Sequence, residues 1–227
     1  MFFVWLMLYG IVMLLSRRFA ALTPWAVPTG LLISTIALVG WLAWQQKRSV
    51  FYCKKLSFAC WKKQLFFVPY LLPVAYHLLR FGWQLPALPE ILTVFLAVVL
   101  EEELFRDLLL RALCKKNLLI GCLLTSLLFA AAHFLNLGAG IEPVYILLQA
   151  VYALAIGLAL CAVAISSESL LPCIGIHFLI NITAGDSYET PPQADPLFWV
   201  CVLTCFICGF WNILSEQNER NKERAFL

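Results

Sequence analysis

Between Ile91 and Leu113 the chain reads Ile-Leu-Thr-Val-Phe-Leu-Ala-Val-Val-Leu-Glu-Glu-Glu-Leu-Phe-Arg-Asp-Leu-Leu-Leu-Arg-Ala-Leu. About 20 apolar residues carry a helix across a bilayer, and this stretch is that long. Its middle nevertheless holds Glu101, Glu102, Glu103, Arg106 and Asp107. One charge at the bilayer centre costs at least about 2.5–3.5 kcal/mol. No lipid-facing helix would carry this set, so its partners must lie on other helices.

The rest of the chain supplies those helices. Further apolar runs cover Phe2 to Ser16, Trp25 to Trp44, Leu65 to Leu79, Leu118 to Leu135, Val144 to Ile165, Leu170 to Ala184 and Leu197 to Leu214. The first is short and the third is interrupted by Pro69 and Pro73. The first also lacks the basic leading region and cleavage site of a signal peptide. The expected fold is all-α, a polytopic transmembrane bundle of about eight helices in a single domain over residues 1–227. Composition agrees. The 227 residues are 63% hydrophobic and 13% charged, and mean hydropathy is +0.88. A soluble domain averages roughly 45–50% apolar and about 25% charged. Soluble-enzyme, disordered and disulfide-framework classes are thereby excluded.

A net charge of +3 from 16 basic and 13 acidic residues gives no footprint for nucleic acid. Most of the nine Cys lie inside apolar runs and read as small fillers. Cys205 and Cys208 form a CxxC with no second pair to complete a zinc site. Lys47, Arg48, Lys54, Lys55, Lys62 and Lys63 mark the second loop as cytoplasmic. Alternation then puts both termini in the cytoplasm and the loop with Asp186, Glu189 and Asp195 outside. Arg17 and Arg18 break the rule, or the first run does not fully span. The tail from Ser215 reads as a short solvated helix.

Some charges in the fourth run can pair locally. Glu102 and Arg106 are i,i+4 in the favourable order, and Asp107 and Arg111 repeat the spacing. Glu103 instead faces Asp107. Two intramembrane His are available on other runs, His133 and His177. His177 shares a helical face with Asn181, and Phe129 shares one with His133. Singly, each His reads as a packing residue. Together, Glu, His and Asn on three helices read as one buried polar cluster, and intramembrane ionisable groups mark function. A carboxylate beside an imidazole can activate water. His and Asn can donate hydrogen bonds to the oxyanion formed when water attacks an amide. No G-x-S-x-G and no H-E-x-x-H is present, so neither the serine route nor the common metalloprotease helix has its signature.

Glu101-Glu102-Glu103-Leu104-Phe105-Arg106 fits EExxxR, Phe129 to His133 fits FxxxH, and His177 to Asn181 fits HxxxN. In this order they resemble the CAAX protease and bacteriocin-processing family of membrane proteases, which includes the Ras-converting enzyme. The resemblance covers residues 88–184, the expected catalytic core. It implies a glutamate-dependent intramembrane endopeptidase. It assigns Glu101 as the water-activating base, His133 as its partner on that water and Glu102 as the orienting carboxylate. Arg106 becomes a structural residue, Phe129 a packing residue, and His177 with Asn181 the oxyanion stabilisers. Glu103 and Asp107 depart from the family pattern. They tune the site or meet a basic substrate segment, or else Arg111 and a helix terminus neutralise them.

No cofactor is expected, although a Glu/His/His set could hold zinc. The implied partner is a membrane-anchored or membrane-inserting peptide cut near the bilayer: a prenylated C-terminal tail, a pheromone or bacteriocin precursor, or a sorting signal. The implied location is a microbial cell membrane. Two other classes stay open: a non-catalytic immunity or scaffold protein, and a small carrier with a proton relay. His77 matches no motif and reads as a packing or interfacial residue.

Overall fold

The computed structural model describes residues 2–20, 23–44, 65–83, 85–115, 117–139, 142–184 and 195–225. These form eight helical rods and no strand among the described residues. The first two are α1 (Phe2–Ala20) and α2 (Ala26–Trp44). In α3 a 3-10 stretch, Leu65–Leu71, continues as α-helix Leu72–Phe81. Helix α4 begins as Leu88–Glu102, passes through a π-helical stretch, Glu103–Leu110, and ends with the turn Arg111–Leu113. Helix α5 is Leu118–Ala132, continued as 3-10 over His133–Ala139. The last three are α6 (Pro143–Ser167), α7 (Leu171–Ala184) and α8 (Pro196–Ala225).

Each rod corresponds to one apolar run, so the fold is the expected all-α bundle. Two ends differ. Helix α1 runs on to Ala20, and its 19 residues reach about 28 Å at 1.5 Å each, close to the hydrocarbon thickness. The polar tail is no separate helix but the continuation of α8. The basic loop over 45–64 and the acidic stretch over 185–194 lie outside the described residues. Four rods are long and apolar enough to cross a membrane by length and composition: Phe2–Ala20, Leu118–Leu135, Pro143–Ser167 and Pro196–Lys222.

Helix α6 is the axis of the bundle. Its stretch from Ala155 to Val163 is buried throughout, as expected of a helix that is apolar all round. Helices α5 and α8 lie against it, and glycine lets them come close. A Cβ on Gly209 of α8 would stand 2.9 Å from the backbone nitrogen of Ala159. One on Gly157 would stand 3.1 Å from Ser126 Cβ of α5. Small residues at such crossings are how membrane helices pack closely. Around this axis α1 pairs with α2, α2 leans on α4, α4 packs on α7, and α7 on α3. Helix α4 is thereby walled by α1, α2, α5 and α7, and Glu102, Glu103, Arg106 and Asp107 are buried inside the protein.

Candidate active site

The charged stretch of α4 leaves α-helical geometry at Glu103, after its first two glutamates. Glu103 to Asp107, Leu109 and Leu110 are all buried, a wider face than one stripe of an α-helix presents. The π-helical stretch, a form frequent at functional sites, was not foreseen from spacing.

Glu102 is fully buried and held from two sides. Arg106 Nε lies 3.3 Å from its Oε2, and His177 Nδ1 lies 2.8 Å from its Oε1. Arg106 in turn stacks its guanidinium 4.4 Å over the Phe129 ring, adding a cation–π contact. Phe129 presents the same ring edge-to-face to His133 at 5.2 Å and His177 at 5.6 Å. One aromatic side chain thus supports the cation and both imidazoles.

His177 reaches this place from α7. The turn before it is set by serines: Ser167 Oγ sits 2.6 Å from Val163 O and accepts from the Ser169 N–H, while Ser169 Oγ accepts from the Leu171 N–H. Glu168 between them is left-handed, with φ 49°, which turns α6 into α7. Since His177 Nδ1–H donates to Glu102, Nε2 is the acceptor in the neutral ring. Asn181 Nδ2 donates to it at 3.2 Å, and Glu101 Oε2 is 3.7 Å away.

Glu101 differs from its neighbours. Its side chain keeps 19% of its surface, whereas Glu102 and Glu103 keep none. It lines a cavity of about 510 Å³ together with His133, His177 and Asn181. His133 donates from Nδ1 to the Phe129 carbonyl at 3.0 Å, so its Nε2 is an acceptor. Glu101 Oε1 accepts a hydrogen bond from the Tyr9 hydroxyl of α1 at 2.8 Å. Sequence reasoning missed Tyr9, because a tyrosine on an apolar helix carries no motif.

The structure brings Glu101, Glu102, Arg106, Phe129, His133, His177 and Asn181 into one constellation. Glu103 does not line the cavity, and neither of its buried oxygens has a hydrogen-bond partner among the described residues. Asp107 pairs with Arg111 at 2.7 Å, the neutralising arrangement its spacing offered. His77 is buried rather than interfacial and lines the same cavity. No group of three His, Cys, Asp or Glu among the described residues has the arrangement of a metal-ligand set.

No curated protein and no solved structure matches the chain. The sequence model of one family, described as type II CAAX prenyl endopeptidase Rce1-like, matches residues 82–183. That stretch runs from just past α3 into the last turn of α7. It includes every residue of the constellation, and Tyr9 lies outside it. The long apolar helices agree with the membrane protease this family represents. Over residues 82–183 the chain is similar to the Rce1-like family of type II CAAX prenyl endopeptidases.

Proposed function

We propose that the protein is an intramembrane endopeptidase in which Glu101 activates water against a peptide bond of a membrane-associated substrate. One observation carries this reading. Of the four carboxylates clustered in α4, Glu101 is the one on the cavity, and the others are sealed behind it. Glu101 takes a proton from water as the water oxygen adds to the carbonyl carbon. The acceptor nitrogen of His133 holds the same water. Asn181, with His177 beside it, faces the oxyanion that develops. Glu101 then returns the proton to the leaving nitrogen as the C–N bond breaks. Glu102 and Arg106 fix His177 and take no proton.

The substrate class is a membrane-anchored or membrane-inserting peptide. A prenylated C-terminal tail follows the family description most closely. The cavity faces the cytoplasm in this reading, and no cofactor is required. Mass spectrometry of membrane and secreted peptide termini tests the proposal, comparing native cells with cells carrying Glu101→Gln at matched expression. Uncleaved precursors accumulate in the variant and name the substrate. Unchanged termini, with the variant stably present, would favour an immunity, scaffold or carrier protein. Turnover is expected to survive chelation. Loss on chelation with recovery on added zinc would place a metal at Glu101, His133 and His177.

A further inference from the structure

The cavity reaches well beyond Glu101 along α4. Glu90, Thr93, Val94, Ala97 and Glu101 all line it, and their spacing is that of one helical face. From Glu90 to Glu101 the helix makes three turns plus about 20°, so the two residues leave it in one direction, about 16.5 Å apart along its axis. Beyond Glu90 the space goes on. Met13, Glu90 and Thr93 also line a second cleft, of about 400 Å³, whose remaining wall is Pro24, Val27, Ala87 and Pro89. Glu90 is exposed and is in no ion pair among the described residues. Arg80, Arg106 and Arg111 are held instead by Asp195, Glu102 and Asp107. No Lys or Arg among the described residues lines the cavity. Its wall therefore carries two glutamates and no cation of its own. A cleft lined by charge of one sign concentrates ligands of the opposite sign.

Resting on the endopeptidase reading, we propose that Glu90 selects substrates by pairing with a Lys or Arg side chain about five residues from the cleaved bond. Distance sets the register. An extended peptide advances about 3.3 Å per residue, so about 16.5 Å of α4 is matched by about five residues, and the length of a Lys side chain allows about one residue either way. Chemistry sets the class. An ionised carboxylate only accepts hydrogen bonds, and an ammonium or guanidinium group supplies donors together with the compensating charge. An acidic residue at the same level would be repelled. A carboxylate in the first turn of a helix also meets the positive end of the helix dipole. That contact supports α4 equally whatever peptide is bound, so dependence on substrate charge separates the two roles.

The test uses the full chain in nanodiscs and synthetic peptides, read by mass spectrometry. The parent peptide is a cleaved member of a mixed farnesylated and unmodified library, or the precursor that terminal mass spectrometry identifies, remade without basic residues. A single Lys is then placed at each position in turn on both sides of the cut. Lys about four to six residues away, on one side, is expected to raise kcat/KM about fivefold over Gln at the same place, the upper range for a partly exposed ion pair. The gain should shrink as salt rises. Lys elsewhere should change kcat/KM less than about twofold. The gain is expected to vanish in Glu90→Gln, to persist in part in Glu90→Asp, and to reverse in Glu90→Lys, which should prefer a substrate Glu at that position. A gain that survives both Glu90→Gln and Glu90→Lys, or the lack of any positional preference, would overturn the role of Glu90 and leave the protease reading intact. Wild-type protein that cleaves no member, together with unchanged termini in cells, would overturn both.

Discussion

The Tyr9 hydroxyl sits 2.8 Å from Glu101 Oε1 and holds the proposed base in place from a helix outside the family match. A hydrogen bond to an ionised group is worth roughly 1.5–3 kcal/mol, and each 1.4 kcal/mol of barrier is about tenfold in rate. Tyr9→Phe is therefore expected to lower kcat about tenfold and the unfolding midpoint by a few degrees, while leaving KM unchanged. An unaltered kcat would show that Glu101 needs no such support. The Glu102–Arg106 ion pair and the His177–Asn181 hydrogen bond were legible in the sequence, because i,i+4 spacing places both partners on one helical face. Tyr9 and His77 were not. Each meets its partners only through tertiary packing, and periodicity within one helix says nothing about which helix comes to lie opposite.

At the scale of elements, apolar run length predicted all eight rods. The helix period did not reveal the π-helical stretch Glu103–Leu110, whose extra width depends on neighbours burying almost every side chain. Nor did it reveal how α6 and α8 meet. Gly209→Ala would push a Cβ to 2.9 Å from the Ala159 backbone nitrogen and 3.0 Å from the Leu158 carbonyl carbon, and backbone cannot rotate aside. Overpacking of this kind costs about 1–3 kcal/mol, or roughly 2–12 °C for a chain this size. Gly40→Ala, where a new Cβ meets nothing within 4 Å, should leave the midpoint unchanged. Thermal unfolding of the two variants side by side checks this. Equal midpoints would mean that α8 can shift off α6 freely.

For the whole molecule, we propose that both termini lie in the cytoplasm: eight spans would put them on one side, and the basic residues of the sequence favour that side. Helix α8 extends about 45 Å over its 30 residues, some 15 Å beyond a hydrocarbon core of about 30 Å. Its end with Arg220 and Lys222 projects into water. Green fluorescent protein fused after Leu227 should fluoresce, and alkaline phosphatase fused there should be inactive. The reverse pattern would invert the bundle and turn the cavity to the outer face.

The central claim is that Glu101, on the cavity, is the water-activating group, while Glu102 behind it orients His177. Its most direct test is the cleavage rate of purified protein in nanodiscs, acting on the substrate that terminal mass spectrometry identifies. Glu101→Gln keeps the size and the Tyr9 contact but removes the base. The account predicts a fall in kcat of at least about a hundredfold, with an unchanged unfolding midpoint and unchanged substrate binding. A Glu101→Gln protein that cleaves at the wild-type rate would contradict it.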